Sequence, residues 1–292
     1  MTVFKSELLV AAQNKVGESP VWDPQSQSLY WVDIPQGLIQ RLADDGTLRQ
    51  WRAPLMIGSI VLAKGGGLLA ATADGFARLD LSAEAPGLDY IAPVLAGMPE
   101  YRFNDGACDR QGRFWSGTMC LQPDAARPDG QLYRLDHDGR AHALRDGFLI
   151  QNGLAWSPDG TVMYVSDSHP SVRTVWAFDY DGAAGTFANR RVFAADLPGR
   201  PDGAAMDVDG CYWIAATDAG KILRLTPEGI VDAEITVPVP NPTNICFGGP
   251  DMKRAFITSL RRGEPDAPVG GDLYCVDLPY QGMPETPAIS DG

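Results

Sequence analysis

One phrase recurs along these 292 residues: a short apolar strand, a turn built on Gly, Asp or Pro, and a second strand closing on an aromatic residue. Clear copies run Pro20–Trp31, Gly106–Trp115, Gly153–Tyr164 and Gly203–Trp213. A weaker copy spans Ile245–Phe256, and the weakest, Gly58–Ala70, has lost its aromatic but keeps Lys64-Gly-Gly-Gly67 as its turn. Taking Trp31, Ala70, Trp115, Tyr164, Trp213 and Phe256 as anchors gives steps of 39, 45, 49, 49 and 43 residues. A period of about 49 suits a four-stranded propeller blade.

After each anchor a third strand alternates apolar and polar positions, as a half-solvated strand does. These strands are Leu38–Leu42, Gly75–Leu79, Gln131–Leu135, Thr174–Phe178, Lys221–Leu225 and Asp272–Val276. A fourth follows in five units, for example Leu48–Trp51, Arg191–Ala194 and Asp232–Val237. The sixth unit has none, because Pro279, Pro284 and Pro287 follow Val276 and cannot supply a central strand. Phe4–Ala11 is a spare strand at the other end, and placing it in the sixth unit closes the ring. Gly and Pro interrupt every window long enough for an amphipathic helix. The expected fold is all-β: a six-bladed β-propeller, one domain over residues 1–292, with about 279–292 as a tail.

Lys and Arg number 24 against 37 Asp and Glu, a formal charge of −13, which would repel nucleic acid and anionic membranes. No stretch approaches the roughly 20 apolar residues of a membrane span, and the N-terminus lacks the basic and apolar regions of a secretory signal. The five scattered cysteines (Cys108, Cys120, Cys211, Cys246, Cys275) read as free buried thiols in a reducing compartment, so a cytoplasmic protein is expected, monomeric or weakly homo-oligomeric. With three histidines, His137, His142 and His169, a His-rich metal site is excluded. Chemistry has to come from carboxylates, amides and arginine.

In a propeller the loops leading into the innermost strands gather round a central channel. Eleven to 13 residues ahead of the anchors stand Glu18, Ile57, Arg102 with Asn104, Asn152, Asp202 and Asn244. Loops leaving the second strands reach the same face with Asp33, Thr72, Thr118, Asp167, Thr217 with Asp218, and Ser259. Turn chemistry alone accounts for Asn152-Gly153 and Asp202-Gly203, and Arg102 has Asp105 nearby as a possible ion-pair partner. The convergence of five polar positions at one phase of a repeat points instead to a site. Glu18, Asn152 and Asp202 offer two carboxylates and an amide oxygen, a hard ligand set for one Ca²⁺, Mg²⁺ or Mn²⁺, with Zn²⁺ and Fe²⁺ also admissible. An open site of that kind polarises a carbonyl and activates water.

The phrases Gly17-Glu-Ser-Pro20, Arg102-Phe-Asn-Asp-Gly106, Trp115-Ser-Gly-Thr-Met119, Gln151–Trp156, Pro201-Asp-Gly203 and Cys246-Phe-Gly-Gly249 resemble, in order and over nearly the whole chain, the senescence marker protein/gluconolactonase/regucalcin family. The resemblance implies a six-bladed propeller holding one divalent cation and hydrolysing sugar-acid lactones. It puts the metal on Glu18, Asn152 and Asp202, sugar hydroxyl contacts on Arg102 and Asn104, and proton handling on Asp202. Thr118, Asp167 and His169 are further candidates at the same rim. Where several relatives carry an acidic residue after Gly-Thr-Met, this chain has Cys120-Leu-Gln122 and then a proline-rich loop to Pro128, a candidate lid, which shifts the expected sugar. The expected substrate is thus a small sugar lactone. Two rivals are a cation-binding regulatory propeller without turnover and a paraoxonase-like esterase, the latter disfavoured by the shortage of His.

Overall fold

The computed structural model describes residues 1–122, 127–263 and 269–289. The described strands form six sheets arranged as the blades of a β-propeller, and each anchor residue lies in the second strand of its blade. Blade 1, for instance, runs outward through Gly17–Asp23, Ser28–Asp33, Leu38–Ala43 and Leu48–Arg52. The innermost strands of blades 2 to 6 are Ile57–Leu62, Tyr101–Cys108, Gln151–Trp156, Arg200–Met206 and Pro242–Gly248. Among the described residues the one helical element is a 3₁₀ turn, Ile34–Gln36. No described helix is long and apolar enough to cross a membrane.

The apolar core divides into six clusters, one in each seam between neighbouring blades. Blade 1 meets blade 6 through Trp22, Trp31, Cys246 and Phe256, while blade 3 meets blade 4 through Trp115, Leu132, Trp156 and Phe178. Burial is therefore spent between sheets, and the axis is left to polar groups. All five cysteines are buried and free.

A repeated bracket fixes two of the anchors. Asp109 and Asp207 open the phrases Asp-x-x-Gly-x-x-Trp, and each accepts the indole N–H of its tryptophan, Trp115 at 3.2 Å and Trp213 at 2.9 Å. The other oxygen of each aspartate accepts two turn amides, from Gln111 and Arg113 and from Asp209 and Cys211. An arginine completes each bracket: Arg113 Nη1 donates to Asp109 at 2.9 Å, and Arg224 Nε to Asp207 at 2.8 Å.

The N-terminal segment differs from the expectation in one respect. Glu7–Val10 does supply the outermost strand of blade 6, antiparallel to Leu273–Asp277, and so closes the ring. Thr2–Lys5 instead pairs in parallel with Val231–Thr236 as a fifth strand of blade 5. The edge of blade 5 offers an unpaired ladder beside the seam, and Phe4 reaches from that strand to the ring of Tyr280, 6.0 Å between centroids, which anchors it there.

The C-terminal segment is a strap. Met283 N donates to Met206 O and Gly282 N to Met252 O, while Ala288 N reaches Leu62 O and Ile289 N reaches Gly112 O. It thus crosses from blades 5 and 6 to blades 2 and 3 over the ends of the innermost strands. Above it the channel narrows to a cavity of about 30 Å³, lined by Asp105, Asn244, Glu285 and Thr286 among others, which has room for about one water.

Breaking the bracket should cost far more than breaking an exposed pair. Asp207→Ala orphans a buried indole N–H and strips one partner from Arg224, whose side chain is 6% exposed; the expected loss is about 3 kcal/mol. Asp277→Ala removes an ion pair to Arg254 whose side chains are 72% and 48% exposed, and should cost about 0–1 kcal/mol. Denaturant midpoints compare the two, and equal losses would show that the bracket carries no special weight.

Candidate active site

Every innermost strand interrupts its ladder once, at the same height. The register shifts fall between Glu18 and Val21, Ile57 and Ser59, Phe103 and Gly106, Asn152 and Ala155, Pro201 and Ala204, and Pro242 and Asn244. A bulge leaves residues out of the ladder and re-aims their side chains. Asn104, Asp105 and Asp202 lie within these interruptions, Glu18 and Asn152 at their near lip, and Asn244 at the far lip. The sequence analysis assigned these residues, Asp105 apart, to loops; they are strand residues, turned inward by the bulges.

Two glycines show how tightly the bulges pack. A Cβ on Gly203 would lie 2.0 Å from Asn244 Cγ, and one on Gly153, whose φ is +61°, would lie 2.4 Å from the Tyr212 hydroxyl. The Asn-Gly and Asp-Gly pairs therefore record close approach between blades rather than chain reversal.

The polar side chains form three hydrogen-bonded groups round the channel. Asn104 Nδ2 donates to Gln151 O at 2.8 Å and Asn152 Oδ1 at 3.0 Å. Asn152 Nδ2 donates to Ser168 Oγ at 2.6 Å, which fixes the amide with Oδ1 turned to Asn104. Asn244 Nδ2 donates to Glu18 Oε2 at 2.8 Å and lies 3.4 Å from Asp105 Oδ1. Thr217 Oγ1 is 2.9 Å from Asp202 Oδ2. Arg102 Nη1 donates to Phe103 O and Asn104 Oδ1, both at 2.8 Å; among the described residues it makes no ion pair with Asp105.

Charge is unevenly settled here. Glu18, Asp105 and Asp202 are 6%, 6% and 9% exposed. Loss of water, followed by repulsion from Asp202 and Asp105, holds the Glu18 carboxyl well above the usual range. Burial pushes Asp105 up to about 6 and Asp202 up to about 7, the latter despite the Thr217 bond and the nearby Arg200. Burial likewise draws the Arg102 guanidinium down to about 10 against the pull of Glu18 and Asp202. Among the described residues no three His, Cys, Asp or Glu side chains stand close enough to hold an ion by themselves, so an ion at this site would draw on amide oxygen as well.

The structure brings Glu18, Arg102, Asn104, Asn152 and Asp202 to one channel. Asp105 joins them; the sequence analysis treated it only as a partner for Arg102. Ser168, which orients Asn152, carried no signal beyond following Asp167. The remaining candidates are engaged locally. Asp167 accepts the backbone amides of Leu149, Ile150 and His169, Thr118 Oγ1 accepts from Gln131 N, and His169 Nδ1 contacts Ser171 Oγ in its own turn. Of the candidate lid Cys120–Pro128, residues 123–126 lie outside the described residues.

The carboxyls make stability depend on pH. In the unfolded chain they titrate at about 3.9 for Asp and 4.3 for Glu. Without a cation the folded protein thus binds more protons than the unfolded one from about pH 4 up to about 7, where Asp202 titrates. Chelator-treated protein should lose thermal stability as pH rises through that window, and saturating divalent cation should cancel the loss. A melting temperature that is flat or rising from pH 5 to 8 in chelator would contradict this.

Comparison with known proteins places the fold in a family. Residues 16–261 match the SMP-30/gluconolactonase/LRE-like region. The chain is 38% identical over 283 residues to a 6-deoxy-6-sulfogluconolactonase of Pseudomonas putida, covering 95% of this chain and 96% of that one. It is 34% identical over 306 residues to regucalcin of Oryctolagus cuniculus, covering 97% and 98%. A solved calcium-binding regucalcin of Agrobacterium tumefaciens strain C58 superposes with a TM-score of 0.89 at 26% identity, covering 99% of each chain. The chain belongs to the SMP-30/gluconolactonase/LRE-like family.

Proposed function

We propose that this protein hydrolyses a sugar-acid lactone, an aldonolactone of the glucono, xylono, arabinono or galactono type, to the open-chain aldonate, with one divalent cation held by Glu18, Asn152 and Asp202. The observation that carries the reading is the set of buried carboxylates Glu18, Asp105 and Asp202 around one channel, where the nearby cations are already engaged: Arg102 on Phe103 O and Asn104, and Arg200 on Asp218. Such a donor set is hard, oxygen-only and short of positive charge, which suits a divalent ion. Asn152 fits the same role, since its Nδ2 is anchored on Ser168 and its Oδ1, which accepts one bond from Asn104, has a second lone pair to offer an ion. Calcium, magnesium, manganese, zinc or ferrous ion would there supply Lewis acidity toward the lactone carbonyl.

The protein's own groups handle the proton. Thr217 has one hydroxyl hydrogen but two acceptors, Asp202 Oδ2 and Pro242 O. When Asp202 Oδ2 takes a proton from the attacking water, the carboxyl can donate to Thr217 Oγ1 and the hydroxyl can turn to Pro242 O. The water oxygen bonds to the carbonyl carbon, the ring C–O bond breaks, and the proton on Asp202 passes to the departing ring oxygen. The new carboxylic acid then releases one proton to solvent. Arg102 presents its remaining N–H groups to the sugar hydroxyls, and Asn104 aligns both Arg102 and Asn152. Burial raises the affinity of Asp202 for a proton, which suits a general base, and a bound cation would oppose that rise. The five buried free thiols suit a reducing compartment such as the cytoplasm.

Proton release from a panel of aldonolactones tests the reading on protein stripped with chelator and resupplied with one cation at a time. Activity should vanish on stripping and return with a divalent ion; saturable ion uptake with no lactone hydrolysis would favour a binding propeller instead. Asp202→Asn should lower kcat by about 10²–10⁴-fold, with the melting temperature of the chelator-treated protein equal or higher at pH 8. Near-normal turnover in that variant would remove Asp202 from the chemistry.

A further inference from the structure

Three arginines converge on one aspartate at the open end of the channel. Arg200 begins the innermost strand of blade 5, two residues before Asp202, and faces Thr217 across the ladder. It grips Asp218, the next residue, through Nε to Oδ2 at 2.5 Å and Nη2 to Oδ1 at 3.2 Å. Arg262, beyond the second strand of blade 6, brings Nη1 within 3.5 Å of the same Oδ1. Arg173, beyond the second strand of blade 4, hooks Nη2 over Leu197 O and Gly199 O, and its charge also reaches Asp218. The ladder pairs Gln151 with Asp167, Arg200 with Thr217 and Pro242 with Ser259, which puts all three arginines at the end of the blades where Asn152 and Asp202 stand.

One carboxylate does not settle three guanidinium groups. Asp218 spends both oxygens on Arg200, so Arg262 shares an oxygen already taken, and the side chain of Arg262 is 54% exposed. Asp202, two residues along the same strand, also acts on Arg200; Arg173 and Arg262 are left to share the charge of Asp218, on a chain whose net charge is −13. Asp218 sits at φ +77° and Arg173 at φ +47°, two of the eight described non-glycine residues with positive φ. Non-glycine residues hold such angles where the surroundings over-determine them, commonly at ligand sites. Guanidinium groups clustered beside a pocket select planar or tetrahedral oxyanions.

We propose that Arg173, Arg200 and Arg262 form a subsite for a second negative group, so that the lactone this protein accepts carries a phosphate, sulfonate or carboxylate at the end remote from its ring carbonyl. The inference rests on the lactonase reading above and names the substrate class within it. The cluster would also draw such a substrate to the mouth, an attraction that salt screens.

The test compares kcat/KM, with cation present, for glucono-lactone, its 6-phosphate and 6-sulfonate analogues, and a glucaro-lactone carrying a 6-carboxylate. At least one anionic lactone should be favoured over the neutral one by about tenfold or more, mainly through KM, and the preference should shrink as ionic strength rises. The ranking among the three names the anion. Arg262→Gln and Arg173→Gln should each raise KM for that lactone by at least about threefold more than for the neutral one. A neutral lactone used as well as every anionic one, or variants that affect both kinds alike, would overturn the subsite while leaving the lactonase reading in place. Failure to hydrolyse any lactone of the panel would overturn both.

Discussion

Closing sheets into a ring leaves each innermost strand as an edge with no inner neighbour, and its backbone groups must still be satisfied. Here side chains do it from blade to blade. Ser19 of blade 1 exchanges bonds with Ile60 N and O of blade 2, Asn104 of blade 3 reaches Gln151 O of blade 4, and Ser168 of blade 4 reaches Pro201 O of blade 5. Thr217 of blade 5 contacts Pro242 O, and Thr243 of blade 6 returns to Gly17 O of blade 1 at 2.6 Å. The stitching that holds the ring at its axis shares residues with the candidate site. Asn104 staples two blades and sets Arg102; Thr217 staples two more and sets Asp202. A binding site made this way needs no separate scaffold.

That sharing also orders the electrostatics. Six apolar seams keep the blades together, so the axis is free to hold charges that a core could not. The carboxylates of Glu18, Asp105 and Asp202 are nonetheless costly there, as their raised protonation shows. Natural chains tolerate such local cost at functional sites because the rest of the fold over-determines the geometry. The Asp207 and Asp109 brackets, where buried charge is matched by arginine, amide and indole donors, show what the same fold does with acid when structure alone is at stake.

Much of this was legible in the residues. The six anchors, the third strands and the unmatched N-terminal strand were enough to count blades and close the ring, because aromatic residues in second strands report burial directly. The phase of Glu18, Asn152 and Asp202 against those anchors located the channel. What the pattern did not carry was the bulges. Asn-Gly and Asp-Gly are written identically whether they turn a chain or ease one strand past another, and only the packing of Gly203 on Asn244 separates the cases. Asp105 was passed over because it stood out only as a partner for Arg102, a pair that the described residues do not make. The split of residues 2–10 between two blades depends on Phe4 finding Tyr280, a contact that no periodicity records.

The strap at the far end of the channel has a kinetic meaning. By tying Met206 and Met252 to Leu62 and Gly112 it runs across the far ends of the innermost strands beneath the carboxylates. The space beside Glu285 and Thr286, about 30 Å³, admits water but not a sugar. For a sugar-sized molecule, arrival of the next and departure of the last then compete for the opposite end, and an opened chain that lingers there acts as its own stopper.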